Sequence, residues 1–385
     1  MRNIRIKALY AIFASVAIYG FTMGLSRPLL ALILEARGID RTFIGLNAAM
    51  PAIGVLLSAP FIPMFVEKLG MRRFLLVCLA LDLCVLLQYP RFDHLYVWYA
   101  LSMMIGVTTN CLLVTSETWI NEIVDDAGRG RLMGIYNALI AATMALGPLV
   151  IPATGIEGWT PFLVGAFFIA MAAIPLFWTG SHYLSPHEES SFNIATFMFV
   201  APTLVAAVLL FAWKETAGLS LMPVYGIRSG LSEAEAALML TVSGLGGVSL
   251  AYPVGWLADR FNRYWILVLC GLIALTGAIS LPYIIGVGVL LWILLFIWGG
   301  VFAGLYTVVL TIVGQRFRGR ELVTANISIG VLWGIGSLTG PSITGIAMDL
   351  WDPQGFPLVF IAASLLFILF ATGRWLLSSD KSAVL

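Results

Sequence analysis

Apolar stretches long enough to cross a bilayer follow one another along almost the whole chain, and that succession leaves few folds open. A membrane-spanning helix needs about 20 mostly apolar residues. The 385-residue sequence offers twelve such segments. They fall at roughly 8–34, 42–66, 73–90, 95–119, 131–154 and 159–179, then 195–226, 232–257, 264–284, 287–314, 322–348 and 355–378. Several exceed the minimum, which implies tilt or protruding ends. Inside lipid every backbone polar group must be satisfied within its own segment or sheet, so runs of this length are expected to be helices. Asp40 and Ser232 stand where N-caps would open the second and eighth of them.

Composition supports lipid as the solvent. The chain is 60% apolar and 11% charged, with a mean hydropathy of +0.98. Soluble domains carry about 25% charged residues, so this chain lacks the charge to cover a water-facing surface. A formal net charge of +1 provides no basic field for nucleic acid. The first apolar run is too long for a cleavable secretory signal, and no signal is expected. Cys78, Cys84, Cys111 and Cys270 sit inside apolar runs with no CxxC, so neither a metal site nor a structural disulfide is expected. His94, His182 and His187 all fall in polar connections.

Loop charges set the orientation. With the N-terminus in the cytoplasm, fifteen Lys and Arg fall on the cytoplasmic side and four, Arg37, Arg41, Arg91 and Arg228, on the other. Both termini are therefore expected inside.

The chain also repeats itself at an offset of about 192 residues. Gly38-Ile39-Asp40 before the second span matches Gly230-Leu231-Ser232 before the eighth. Pro63-x-x-x-Glu67-Lys68-x-Gly70-Met71-Arg72-Arg73 matches Gly255-Trp256-Leu257-Ala258-Asp259-Arg260-Phe261-Asn262-Arg263. Arg129-Gly130-Arg131 opens the fifth span and Arg318-Gly319-Arg320 the eleventh, and Gly147-Pro148 and Gly340-Pro341 come late in those spans. Four matched features in order predict two parallel six-helix halves, a known transporter design. The expected division is an N-terminal bundle over 1–180, a cytoplasmic linker over 181–194 and a C-terminal bundle over 195–385.

The residues around Asp259 resemble the G-x-x-x-D-R-x-G-R-R loop of the major facilitator superfamily, and the resemblance extends over the whole chain through helix count and repeat. Within the superfamily the chain resembles the YcaD-type group, through Ser116-Glu117-Thr118-Trp119, Leu221-Met222-Pro223-Val224-Tyr225 and Gly336-Ser337-Leu338-Thr339-Gly340-Pro341. The resemblance implies twelve transmembrane helices in two pseudo-symmetric bundles and alternating access by rocking about a central site. It also implies a bacterial inner-membrane location and a monomer in the bilayer, with a small solute as partner. It does not supply a substrate. The first loop departs from the pattern at Pro63, Glu67 and Met71, the second at Asn262 and Tyr264. Ser102 stands where drug–proton antiporters of the superfamily carry an arginine, and Ile151-Pro152 replaces two glycines of their fifth-span motif.

Charge within hydrocarbon is costly and usually faces a cavity or a partner. Five residues qualify: Arg27, Asp82, Glu117, Lys214 and Glu215. Arg27 and the Lys214-Glu215 pair lie on the first and seventh spans, which line the central cavity in the resembling family. Arg27 stays charged and suits an anionic ligand group or a carboxylate partner. Glu215 suits a protonation switch, because burial favours the neutral form of a carboxyl group. Lys214 and Glu215 point about 100° apart on a helix and cannot share a face. An interhelical ion pair is the alternative for all three. Glu117 is a candidate for proton or substrate binding, or a partner of Arg129 or Arg131. A structural role is expected for Asp82 on the third span, although an unpaired carboxylate there would need an explanation. Asn47, Asn110, Asn137 and Asn326 are candidates for cavity hydrogen bonds or for interhelical bridges. Glu67, Lys68, Arg72 and Arg73, with Asp259, Arg260 and Arg263, form two symmetry-related loops. These read as positive-inside anchors or, by resemblance, as gating locks at a helix N-terminus. Gly147-Pro148 and Gly340-Pro341 are expected to bend their helices.

No Walker loop, intramembrane histidine or G-x-S-x-G is present, which disfavours a primary pump and an enzyme. A secondary active transporter is expected, coupled to a proton and moving an organic anion or zwitterion. A multidrug efflux antiporter and a sensor without turnover are the alternatives. No cofactor is expected beyond the coupling proton.

Overall fold

The computed structural model describes residues 2–123, 126–178, 201–317 and 320–377. Among them are fourteen α-helices, three short 3-10 turns and no strand. In chain order the helices are α1 (Arg2–Ala36), α2 (Arg41–Ser58), α3 (Ile62–Leu69), α4 (Met71–Leu86), α5 (Leu95–Ile123), α6 (Asp126–Leu146), α7 (Val150–Thr154) and α8 (Thr160–Phe177). Then come α9 (Pro202–Arg228), α10 (Glu233–Arg260), α11 (Arg263–Ile284), α12 (Gly288–Arg316), α13 (Arg320–Leu350) and α14 (Gly355–Leu377).

Proline positions explain where spans are subdivided. A 3-10 turn at Ala59–Phe61, carrying Pro60, separates α2 from α3, and another at Gly147–Leu149, carrying Pro148, separates α6 from α7. Each proline withholds one N–H from the helical ladder. Pro341, by contrast, lies within α13, which runs unbroken from Arg320 to Leu350.

Eleven segments among the described residues are long and apolar enough to cross a membrane. The expected third span, 73–90, is the exception. Its helix α4 is 16 residues long and gives way to a 3-10 turn, Tyr89–Arg91. Pro90 disfavours helical geometry at the residue before it, which stops the helix early. The chain is an all-α membrane protein, and its exposed surface fits a lipid solvent. On α14, for example, Leu366 and Leu369 stand 68% and 65% exposed, which water would penalise.

The chain divides into two compact units. The first comprises Met1–Ala36 and Leu46–His187, and the second Arg37–Gly45 and Glu188–Leu385. The stretch 37–45, which lies in the expected N-terminal bundle, thus groups with the second unit. The expected linker, 181–194, falls outside the described residues.

The sequence repeat has a packing counterpart inside each unit. In the first, α2 crosses α5 so closely that a Cβ on Gly54 would lie 2.1 Å from the Met103 carbonyl oxygen. In the second, α10 crosses α12 equally closely. A Cβ on Gly246 would lie 1.9 Å from the Phe296 carbonyl oxygen, and one on Gly299 would lie 1.9 Å from that of Ser243. Small residues permit such backbone contact where lipid offers no hydrophobic drive between helices. Gly54 and Gly246 are 192 residues apart.

Ser232 opens α10 with a capping box: its hydroxyl accepts from the Glu235 N–H, and its own N–H donates to Glu235 Oε2 at 2.9 Å. Asp40 behaves differently. Its carbonyl accepts the first helical bonds of α2, from Phe43 and Ile44. The side chain that caps that helix belongs to Asp349.

Candidate functional site

In the second unit the Lys214-Glu215 pair of α9 meets three other helices. Lys214 Nζ donates to Ser243 Oγ of α10 at 3.2 Å and stands 5.8 Å from the centre of the Phe302 ring of α12. Glu215 Oε2 accepts a 2.7 Å hydrogen bond from the indole Nε1 of Trp333 on α13. The two side chains therefore diverge, as adjacent helical positions must. Among the described residues no carboxylate forms an ion pair with Lys214. Both residues are half-buried. The neighbouring walls are aromatic: Phe211 stacks on Tyr306 at 4.4 Å, and Trp213 Nε1 donates to Thr339 Oγ1 at 3.0 Å. An ammonium group held by a hydroxyl and a ring face is suited to an incoming anion. Ser243, Phe302 and Trp333 carry no charge and did not stand out in the sequence. Trp333 lies 118 residues beyond Glu215, and only helix packing joins them.

In the first unit the charged candidates lie on three different helices. Arg27 is half-buried on α1, directly before Pro28. Glu117 is exposed near the end of α5. Asp82 is fully buried on α4 and accepts hydrogen bonds from Thr22 of α1 and Thr108 of α5. Asn110 is a bridge: its Nδ2 donates to Ser58 Oγ at 2.9 Å and to the Val55 carbonyl at 3.3 Å, tying α5 to α2. Asn47 accepts from Ser102 Oγ at 2.9 Å, and the Tyr89 hydroxyl completes the chain 2.9 Å from Ser102. Ser102, standing where an antiporter arginine would be, is thus committed to a buried neutral network. Asn137 is exposed on α6, and the Asn326 side chain lies outside the described residues.

The two signature loops use their charges locally. Asp259 is 69% exposed and pairs with Arg263 at 3.5 Å, while the Arg260 guanidinium lies 4.0 Å from the Trp256 ring centre. Arg72 donates to the Phe177 carbonyl at 3.3 Å, and Glu67, Lys68 and Arg73 are exposed. The side chains of Arg129, Arg131, Arg318 and Arg320, towards which a gating acid would reach, lie outside the described residues.

An apolar groove of about 500 Å³ between α1, α6, α7 and α8 lies apart from these clusters. Its two polar side chains, Thr143 and Thr154, donate to carbonyls of their own helices, so it offers no handle for a polar solute.

The model of the Major Facilitator Superfamily matches residues 12–325 and 204–384. The MFS-type transporter YfkF of Bacillus subtilis (strain 168) is 27% identical over 358 residues, covering 88% of each chain. The MFS-type transporter YcaD of Escherichia coli O139:H28 is 24% identical over 277 residues, covering 71% of each. The crystal structure of a D-xylose-proton symporter superposes with a TM-score of 0.73 at 14% identity, over 98% of each chain.

Proposed function

The chain belongs to the Major Facilitator Superfamily, in the neighbourhood of YfkF and YcaD, and from that premise we propose that it is a proton-coupled secondary transporter of a small organic anion or zwitterion. One observation carries the anion reading. Lys214 is a half-buried ammonium group with a hydroxyl and a ring for company; the adjacent Glu215 carboxylate turns to Trp333, and no carboxylate among the described residues lies within ion-pair distance. Charge placed within a span calls for a counter-charge, and a ligand carboxylate or phosphate supplies one. Arg27 is the second cation of the proposal.

Glu215 is the proposed coupling group. When it takes up a proton, the negative charge beside Lys214 disappears, and a ligand anion becomes the better counter-charge. Proton and anion binding then favour each other, which is the sign of symport. The proton coupling named for the D-xylose symporter is in keeping with this reading. The loop charges favour cytoplasmic termini, and the bacterial relatives favour a bacterial inner membrane.

A thermal-stabilisation screen of organic acids, sugars and amphiphilic drugs on purified protein identifies the ligand class, and counterflow in proteoliposomes then tests transport. Lys214→Gln and Arg27→Gln are expected to lose stabilisation by the anion. Glu215→Gln is expected to keep binding and exchange while losing the response to a pH gradient. If the stabilising ligand is a cation or an uncharged lipophile, the multidrug reading replaces this one. If a ligand binds but no counterflow occurs, the protein is a sensor.

A further inference from the structure

We propose that Asp82 is a second proton-binding site, which carries its proton as a neutral acid in the conformation described here and is separate from the Lys214-Glu215 cluster.

Asp82 sits on α4 with 0% exposure. Thr22 Oγ1 of α1 donates to its Oδ2 at 3.3 Å, and Thr108 Oγ1 of α5 donates to its Oδ1 at 2.8 Å. Among the described residues it has no other hydrogen bond and no ion pair. The ionisable groups around it are thiols and a phenol: Cys78 one turn earlier on α4, Cys111 on α5, and Tyr89 just past the end of α4. The α8 helix, also packed on α4, contains no ionisable side chain. On α3 the charges are Glu67 and Lys68, both exposed, and on α4 itself Arg72 and Arg73 lie in its first turn. That turn is nine residues or more away, roughly 14 Å along the helix. Tyr19 and Arg27, the ionisable residues of α1 nearest Thr22, form neither a hydrogen bond nor an ion pair with Asp82.

An ionised carboxylate buried without a cation is so costly that such groups take up a proton instead. The hydroxyl geometry accommodates the neutral acid. Thr108 Oγ1 has two acceptors within reach, Asp82 Oδ1 at 2.8 Å and the Ile105 carbonyl at 3.1 Å, but only one proton to donate. If Asp82 is an acid, its O–H can donate to Thr108 Oγ1, and Thr108 then turns its proton to Ile105. Every group is satisfied in that state. The other half of the repeat has no carboxyl group at this place. The residue 192 positions on is Ala274, fully buried on α11, with its carbonyl accepting from Trp298 Nε1 at 2.9 Å. Because Thr22 and Thr108 come from two different helices, a movement of α1 or α5 away from α4 would remove one of the two hydroxyls from Asp82.

Infrared spectroscopy of the purified full-length protein in lipid tests this directly, through the C=O stretch of a protonated carboxyl group. At mildly acidic pH the wild type is expected to show such a signal, shifted by isotope labelling of aspartate carboxyl groups and lost as the pH is raised. Asp82→Asn, close in shape, is expected to remove it, and Glu215→Gln to leave it. Absence of an aspartate-labelled acid signal from the wild type at mildly acidic pH would overturn the proposal, and that result does not depend on any variant folding. So would a signal that survives in Asp82→Asn. A signal that falls when sodium replaces potassium at constant pH would assign the site to a metal cation and likewise overturn it. Because Glu215→Gln is scored separately, failure here leaves the transport reading standing.

Discussion

Asp349 holds Thr42 by two hydrogen bonds to one oxygen: Oδ2 accepts from the backbone N–H at 2.8 Å and from Oγ1 at 2.6 Å. Its other oxygen accepts from the Arg41 N–H at 2.9 Å. The carboxylate thus satisfies two of the orphan donors that open α2, and its charge opposes the positive end of the helix dipole. Arg41 adds ion pairs to Asp349, at 3.5 Å, and to Asp352, which Arg228 also approaches at 3.7 Å. All of these residues fall in the second unit.

The cap is expected to matter more than the ion pairs. Asp349→Ala should cost about 0.5–2 kcal/mol, the range for loss of a helix cap. Asp352→Ala should cost about 0–1 kcal/mol, because Asp352 is more exposed and its pairs are screened. Thermal melts in detergent compare the two. A larger loss for Asp352→Ala would mean that the ion pairs, rather than the cap, hold the start of α2.

Tolerance of alanine should differ sharply between a glycine at the α10–α12 crossing and one on α13 that faces open space. Gly299→Ala places a methyl group against the Ser243 backbone and is expected to reduce the yield of folded protein severely. Gly330→Ala, where a Cβ meets nothing within 4 Å, should be neutral or stabilising by about 0.5–1 kcal/mol, since glycine weakens a helix interior. Fluorescence-detected size-exclusion profiles measure both.

Trp333→Phe keeps a ring at the site but removes the N–H donated to Glu215. A hydrogen bond to a charged group contributes about 1.5–3 kcal/mol. The melting temperature of the purified protein in detergent should fall by a corresponding amount, with the ring contacts retained. An unchanged melting temperature would show that this bond does not hold α9 to α13.

Asp259→Asn removes an exposed i,i+4 pair, worth about 0.3–0.5 kcal/mol, so the melting temperature should barely change. If the loop is a gate, turnover falls and cysteine accessibility on the two sides shifts together. If both stay at wild-type values, the loop is a charge anchor.

Orientation is testable with single cysteines in a cysteine-free background. A cysteine at His94, exposed in the connection before α5, should react with an impermeant thiol reagent in intact cells. A cysteine at Ser185 should not. The reverse pattern would invert the topology drawn from fifteen charges against four.

Much of this architecture was legible because its signals are local or strongly periodic. Apolar runs show the helices long enough to span a membrane, and the Ser232–Glu235 capping box is written within four residues. The repeat was readable because it recurs at one offset, and Pro60 and Pro148 mark helix interruptions because a missing N–H acts where it stands. Long-range partners were not legible. Asp40 occupies the local N-cap position, yet Asp349, more than 300 residues on, does the capping. Lys214 and Glu215 read equally well as an ion pair, and only the packing of α9 against α10, α12 and α13 gave them Ser243, Phe302 and Trp333 instead. Asp82 looked like half of a structural pair, and its setting of two threonine hydroxyls emerged only from the meeting of α1, α4 and α5. The sequence by itself determined which segments become long apolar helices, because hydropathy and caps act over one or two helical turns. The tertiary structure alone decided which charges pair, because a side chain's partner depends on the rotation and crossing of helices that no local pattern records.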